Sequence, residues 1–293
     1  MLDGAPFEIH VALGCFLGLL IGSFLNVVIY RLPKIMERQW AVECAELADD
    51  GAVSSKYATD AADRTEKFNL LVPRSRCSSC GHVIAWYENI PVFSYLFLKG
   101  KCSVCRAPYG LRYPAVELVT GILFAFCVWR WGWSVTALMW CGFSAALLVL
   151  AVIDWDTTLL PDDINLPLLW AGLIAAALRW NPAVTLPDAL WGAVAGYLSL
   201  WLVYWAFKLV TGKEGMGYGD FKLFAALGAW FGWTALVPII LMASVIGAVI
   251  GLAMKFSNGL RVGGYIPFGP FLAGAGFTAM IFGPQSILRF VGL

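Results

Sequence analysis

Long hydrophobic runs alternate with short polar stretches along the chain, and one long polar region interrupts the series. The first run, 9–30, is almost free of charge and is long enough to cross a hydrocarbon core of roughly 30 Å. After the polar region at 31–113 the hydrophobic character returns. Further crossings are predicted at 114–130, 134–153, 164–180, 188–207, 221–232, 234–255 and 266–288. This pattern predicts an all-α polytopic membrane protein with about eight transmembrane helices.

The long polar region separates the first crossing from the others. Its part at 36–68 has few large apolar residues and predicts a poorly ordered linker or a short surface helix. We therefore predict a first transmembrane helix within 1–31, a cytoplasmic loop at 32–113, and a membrane domain of seven helices at 114–293. The segment 221–232 is too short to span a bilayer unless its glycine-rich entrance is itself sunk into the membrane.

Composition and charge agree with this class and indicate an orientation. The chain has 293 residues, of which 60% are hydrophobic and 13% charged, which is not typical of a soluble domain. A net charge of +1 gives no indication of nucleic-acid binding. With the N-terminus outside, only Arg130, Arg179 and Arg289 of the 20 Lys and Arg residues lie on the non-cytoplasmic side. Both termini are therefore predicted to be periplasmic.

Four of the eight cysteines form two pairs within the cytoplasmic loop. Cys77 and Cys80 enclose two residues, and so do Cys102 and Cys105, with 21 residues between the pairs. Two thiolates three positions apart in a tight turn can face one tetrahedral ion, and a second pair completes four ligands. Disulfides are less favoured in the reducing cytoplasm. We predict one structural zinc ion per chain, bound by a small domain at about 70–113.

A glycine-rich turn, 215–219, places Asp220 at the entrance of a strongly apolar segment. An ionised Asp is expensive there unless it has a function. Glycine permits positive φ and a close approach of another chain, so such a turn can present a reactive side chain to a substrate backbone. The alternative is an ordinary connecting loop in which Asp220 caps the next helix.

A second carboxylate, Asp154, lies where the apolar run 134–153 ends. Two crossings separate it from Asp220, so the two can meet at the cytoplasmic boundary. Two carboxylates in a poorly solvated site share a proton, and such a pair can activate water and polarise a peptide carbonyl. Asp156, Asp162 and Asp163 follow Asp154, and the common case for these three is a solvated loop carboxylate or a helix cap.

The motifs and their order resemble those of bacterial type IV prepilin peptidases, which belong to the GxGD group of membrane aspartyl proteases. The resemblance covers nearly the whole chain. Its motifs include Gly22-Ser23-Phe24-Leu25-Asn26, Arg31-Leu32-Pro33, Pro73-Arg74-Ser75, the two cysteine pairs, Asn89-Ile90-Pro91, Arg112-Tyr113-Pro114 with Glu117, Ile153-Asp154, Leu160-Pro161-Asp162, Gly217-Tyr218-Gly219-Asp220-Phe221-Lys222 and Pro267-Phe268-Gly269-Pro270.

The resemblance implies two activities in a protein of the bacterial inner membrane. The peptidase removes the basic leader of type IV prepilins and type II secretion pseudopilins at the cytoplasmic face. The methyltransferase then methylates the new N-terminal residue, usually Phe, using S-adenosylmethionine. The catalytic aspartates match Asp154 and Asp220, and the zinc ligands match the four paired cysteines. Membrane lipid is the other expected partner, and nucleic acid is not expected.

The methyl-donor site is less well defined by the sequence. The chain has no glycine-rich nucleotide fingerprint of the soluble type, and we expect the donor to bind where the zinc domain meets the membrane. Glu117 is a candidate for handling the substrate amine. The alternative is that Glu117 is a carboxylate near a helix N-terminus, stabilised by the helix dipole.

A different class of function also fits an intramembrane carboxylate pair. An ion- or proton-coupled transporter with a regulatory zinc domain would use such groups as relays. Relay carboxylates are expected near the middle of the bilayer, whereas Asp154 and Asp220 lie at the ends of their apolar segments. The sequence therefore favours the peptidase.

Overall fold

The computed structural model describes residues 6–49, 68–256 and 266–291. Within these residues the regular structure is helical, and the only β-type pairings are two isolated bridges, between Arg76 and Val83 and between Lys101 and Pro108. The chain forms two compact units that divide between Phe126 and Cys127.

The helices follow the predicted hydrophobic runs. They are α1 (Phe7–Asp49), α2 (Phe93–Phe97), α3 (Arg112–Trp131), α4 (Val135–Thr157), α5 (Asp162–Ala177), α6 (Leu186–Thr211), α7 (Tyr218–Phe231), α8 (Leu236–Phe256), α9 (Gly269–Phe282) and α10 (Pro284–Val291). In the described part of the chain, five helical segments are long and apolar enough to cross a membrane. The all-α prediction is confirmed, while the count of eight crossings stays a prediction because α5, α7 and α9 are shorter, with 16, 14 and 14 residues.

The first helix is longer than the predicted crossing at 9–30. It continues through Pro33 to Asp49, so the first part of the predicted linker at 36–68 is helical. Residues 35–48 are rich in Ala, Glu, Leu, Met and Arg, which have high helix propensity, so the helix continues beyond the hydrophobic run. Of the predicted linker, residues 50–67 lie outside the described residues.

In the N-terminal unit α1 crosses α3 at two glycines. A Cβ atom on Gly18 would lie 2.7 Å from the Thr120 carbonyl oxygen, and one on Gly22 would lie 2.7 Å from the Glu117 Cα. Real Cβ atoms do not approach so closely, so the two backbones can touch only because these positions have no side chain. This contact holds the second turn of α3, which carries Glu117, directly against α1.

In the C-terminal unit α7 is the buried central helix. Its residues Phe221, Leu223 and Leu227 are fully buried. The helix packs most closely against α6, where Gly192 and Gly228 leave no room for a Cβ atom on either side. Helix α7 rises only about 21 Å over its 14 residues, which is shorter than a membrane core. Protein surrounds it along that length.

Hydrogen bonds hold the C-terminal end of α7 in place. The Trp230 Nε1–H donates to the Leu168 carbonyl oxygen at 2.8 Å, and the Asn181 Nδ2 donates to the Trp230 carbonyl oxygen at 2.9 Å. These buried bonds tie α7 to α5 and to the connection that follows α5. The opposite end of α7, with Asp220 in its first turn, is thereby held at a fixed depth.

The last predicted crossing, 266–288, is divided in two. Helix α9 ends at Phe282, where Gly283 has a φ of 82°, a conformation that glycine permits, and its N–H donates to the Ala279 carbonyl oxygen. Helix α10 then begins at Pro284. The predicted segment is therefore two consecutive helices.

Candidate active site and metal centre

The four paired cysteines lie together in the N-terminal unit. Their Sγ atoms all lie within 4.8 Å of one another, and the closest pairs are Cys77–Cys105 at 3.7 Å and Cys80–Cys102 at 4.0 Å. A tetrahedral ion with bonds of about 2.3 Å to sulfur requires sulfur–sulfur distances of about 3.8 Å. The cluster therefore fits a tetrahedral metal ion, and all four corners are thiolates of the protein.

The two cysteine turns have the same local geometry. In the first, Cys77 N–H donates to the His82 carbonyl oxygen, and in the second, Cys102 N–H donates to the Ala107 carbonyl oxygen, both at 2.8 Å. The residue after each pair has a positive φ, 71° at Gly81 and 60° at the equivalent Arg106. This shared turn is what brings both thiols of a pair to one side of the backbone.

Backbone N–H groups favour the thiolate form of the first cysteine in each turn. The N–H groups of Cys80 and Ser79 lower the pKa of Cys77, and those of Cys105 and Val104 lower the pKa of Cys102 to about 6. The thiolate is the form that binds metal. The first cysteine of each turn is therefore prepared electrostatically as well as geometrically for a cation.

Asp154 and Asp220 lie close together in the C-terminal unit. Asp154 is on the last turns of α4 and Asp220 on the first turn of α7, and they are 4% and 7% exposed. The charge on Asp154 acts directly on Asp220. Asp220 Oδ1 is buried and makes no hydrogen bond within the part of the chain that the structure describes. Two buried carboxylates at such proximity do not readily both carry a charge.

Leu160 and two glycines define the space around the pair. A Cβ atom on Gly219 would lie 2.6 Å from the Leu160 Cβ, and one on Gly269 would lie 2.5 Å from Asp154 Oδ2 and 3.2 Å from the Leu160 Cδ1. Neither Gly217 nor Gly219 has a positive φ, so of the two properties that glycine offers here, the structure does not use that conformation at either position. The glycine at 219 is needed for space, because Leu160 occupies the volume that a side chain would fill.

Asp220 also caps its own helix. Gly217 is the N-cap residue of α7, and its backbone hydrogen-bonds to the Asp220 carboxylate. The alternative considered from the sequence, a capping Asp, is therefore part of the arrangement. The cap engages the carboxylate from the backbone side, while its Oδ1 atom stays buried.

The remaining carboxylates of the Asp154 segment are exposed. Asp156 and Asp163 lie on the surface. Asp162 forms an ion pair with Lys222 on α7, with Nζ at 2.7 Å and 2.6 Å from the two carboxylate oxygens. This ion pair links the N-terminal ends of α5 and α7. Both residues belong to motifs that carry the family resemblance, and their contact does not involve the buried aspartates Asp154 and Asp220.

Glu117 is buried at a cavity of about 340 Å³ in the N-terminal unit. Its Oε2 accepts the Val92 N–H at 2.8 Å, and Ser23 on α1 also hydrogen-bonds to it. Glu117 lies in the second turn of α3, and the first turn, where the helix dipole acts, has no acidic residue, so the structure does not support the helix-end alternative. Its carboxylate joins α1, α3 and the start of α2, which the sequence did not predict.

A second carboxylate, Glu88, lines the same cavity. Its Oε2 accepts the Ala85 N–H at 2.8 Å and lies 3.1 Å from His82 Nε2. Hydrogen bonds from Ser103 and from Ala85 lower the pKa of Glu88, so this carboxylate is charged at neutral pH. Sequence reasoning missed Glu88, because its partners come from both cysteine turns and only the folded loop brings them together.

Two protein-family models match the chain, one in its N-terminal part and one in its C-terminal part. The model of the bacterial peptidase A24 N-terminal domain matches residues 16–131, and the model of the type IV leader peptidase family matches residues 141–252. The second match includes Asp154 and Asp220, and the first includes the four paired cysteines and Glu117. The chain belongs to the type IV leader peptidase family.

Curated relatives are similar along nearly their whole length. The prepilin leader peptidase/N-methyltransferase of Stutzerimonas stutzeri is 50% identical over 280 residues, which cover 94% of this chain and 93% of the relative. The protein of the same name from Pseudomonas aeruginosa is 49% identical over 279 residues, which cover 94% of this chain and 92% of the relative. No solved structure matches the chain.

Proposed function

We propose that this protein is a prepilin leader peptidase and N-methyltransferase of the bacterial inner membrane. It removes the basic leader of type IV prepilins and type II secretion pseudopilins, and it then methylates the new N-terminal residue. The observation that carries the peptidase assignment is the buried pair Asp154 and Asp220 within the segment that matches the peptidase family. The similarity to relatives named for both activities supports the second.

The aspartate pair performs hydrolysis as one unit. One carboxylate takes a proton from water, and the other, protonated, donates a hydrogen bond to the carbonyl oxygen of the scissile peptide. Burial favours a shared proton because a second charge at this position would be poorly solvated. Gly219 and Gly269 have no side chains, so Leu160 packs against both of them and the Asp154 carboxylate packs against Gly269, which fixes the position of that carboxylate.

The metal has a structural role in this proposal. The four thiolates would hold one zinc ion and leave no open position for water or substrate. The domain that they organise has few buried apolar residues of its own beside Cys77 and Cys102, so the ion supplies cohesion that a core would otherwise give. We place this domain on the cytoplasmic side and both termini in the periplasm, following the distribution of Lys and Arg.

The proposal is tested by mass spectrometry of a purified reaction. The protein in detergent is incubated with a prepilin-like peptide, with and without S-adenosylmethionine. We expect leader release under both conditions and a gain of one methyl group on the new N-terminus only with the donor. A protein that releases no leader contradicts the peptidase assignment and would favour the transporter. Cleavage without methylation contradicts the second activity alone.

Gly269 provides a test of the peptidase geometry that leaves both aspartates in place. In Gly269→Ala the added methyl group would lie 2.5 Å from Asp154 Oδ2, so the carboxylate must move by most of an ångström to reach ordinary contact. A displacement of that size costs about 10²-fold in a positioned catalytic group. We expect the rate of leader cleavage to fall by about that factor, measured by peptide mass spectrometry.

The matched control is Gly274→Ala on the same helix, where an added Cβ meets nothing within 4 Å. This variant should cleave at the wild-type rate. If Gly269→Ala also cleaves at the wild-type rate, then Asp154 does not need the position that the structure gives it, and the proposed role of that carboxylate is wrong.

A further inference from the structure

The cavity in the N-terminal unit has the dimensions of a small-molecule site. Its volume of about 340 Å³ lies within the usual range of roughly 300–1,000 Å³ for ligand pockets. It is bounded by α1, by the segment 84–98, by the start of α3 and by one serine of each cysteine turn, Ser78 and Ser103. It is distinct from the Asp154 and Asp220 pair, which lies in the other unit.

Polar bonds fix the walls of this cavity. Arg31 on α1 donates to the carbonyl oxygens of Asn69 and Pro73 at 2.9 Å and 2.6 Å. Asn26, which precedes Arg31 on the same helix, donates to the Tyr113 carbonyl oxygen at 3.0 Å. The bond from the Val92 N–H to Glu117 ties the segment 84–98 to α3, and the bond from Ser23 to the same carboxylate ties α3 to α1. The cavity is therefore formed by the fold itself and does not require a ligand to shape it.

The lining suits a ligand that carries positive charge beside an aromatic ring. Two carboxylates, Glu88 and Glu117, line the cavity, and four tyrosine rings accompany them: Tyr30, Tyr95, Tyr109 and Tyr113. Carboxylates and aromatic faces together are the usual surroundings of an onium cation, and aromatic rings also stack on nucleobases. Arg76 adds an exposed guanidinium at the same cavity, which matches a ligand carboxylate.

We propose, resting on the N-methyltransferase activity proposed above, that this cavity binds S-adenosylmethionine. The Glu88 and Glu117 carboxylates interact with its positively charged sulfonium and amino groups, and Arg76 interacts with its carboxylate. This donor is a zwitterion with a net positive charge and a nucleobase, so each of its groups has a matching partner in the lining.

The cavity also supplies a proton acceptor for the transfer. The lone pair of the substrate amine forms the new nitrogen–carbon bond while the carbon–sulfur bond of the donor breaks, and the electron pair of that bond stays on sulfur as a neutral thioether. The amine loses one proton, which passes to Glu117. Ser23 and the Val92 N–H hold this carboxylate in place through their hydrogen bonds.

Binding and cross-linking test this site independently of turnover. Titration calorimetry of the full-length protein in detergent measures the Kd for S-adenosylmethionine. We expect Glu88→Gln and Glu117→Gln each to raise the Kd by about tenfold to a hundredfold, as for loss of one hydrogen bond to a charged group. Glu37→Gln, which changes an exposed carboxylate of α1 outside the cavity, should leave the Kd unchanged.

Ultraviolet cross-linking of methyl-labelled S-adenosylmethionine to the wild-type protein gives a second readout that needs no variant. We expect the label in peptides that contain residues 23–31, 84–98 or 109–117. Label confined to residues 127–256, or Kd values unchanged in both Gln variants, overturns the site even if methylation is observed. A wild-type protein that neither binds the donor nor methylates a cleaved peptide overturns the proposed methyltransferase activity and this site with it.

Discussion

Replacing Asp154 or Asp220 by asparagine is expected to abolish leader cleavage. Asparagine has the same shape, so the packing around α4 and α7 should persist, but an amide neither takes a proton from water nor donates one as an acid. Loss of this acid–base chemistry should lower the cleavage rate by about 10³-fold or more. The rate is measured as leader release from a prepilin-like peptide by the purified variants.

Three further measurements make this test specific. Each variant should keep its metal, and each should still methylate a peptide that has already been cleaved, because the proposed donor cavity lies in the other unit. Asp163→Asn changes an exposed carboxylate of the same segment and should cleave normally. Wild-type cleavage by Asp154→Asn or by Asp220→Asn would remove that residue from the mechanism.

Replacing Cys77 and Cys102 together by serine is expected to release the metal. The two are the buried members of the cluster, one in each turn, and their loss leaves two ligands for a tetrahedral ion. Binding of a structural zinc ion is coupled to folding, so the segment 70–113 should lose its structure at the same time. Elemental analysis should find about one zinc ion per wild-type chain and almost none in the variant.

Proteolysis and binding of S-adenosylmethionine measure the expected loss of structure in the segment 70–113. The variant should be cut within 70–113 by a protease that leaves the wild type intact there, and it should lose affinity for S-adenosylmethionine because Ser78, Ser103 and Tyr109 line the cavity. Cys44→Ser is the matched control, since Cys44 is exposed and lies outside the cluster. Retention of zinc by the double variant would show that these four cysteines are not the metal site.

Several features of the fold followed from local patterns in the sequence. Hydrophobic runs predicted the helices because a segment in lipid must satisfy its backbone groups internally, which leaves the helix as the natural choice. The spacing of the cysteines predicted the cluster because the turn that brings two thiols together is itself local. The preference for Asp154 over Asp156 came from its place at the end of an apolar run, and the structure has Asp154 buried and Asp156 exposed.

Other features depend on contacts between distant segments, and no local pattern along the chain indicates them. The role of Leu160, which fills the space beside both Gly219 and Gly269, becomes visible only when the connection after α4 packs on α7 and α9. The partners of Glu88 and Glu117 come from segments that no periodicity links. The extension of α1 to Asp49 was missed for a different reason, because hydropathy marks burial in lipid and not helix propensity.

The short length and deep burial of α7 also bear on how the protein is made. A segment of 14 residues enclosed by other helices has neither the length nor the lipid contact that would let it partition into a bilayer alone. We therefore expect its insertion to depend on that of α6, because Gly192 and Gly228 bring the two helix backbones into direct contact. The aspartate at its end is in this way positioned during biogenesis, before any substrate is encountered.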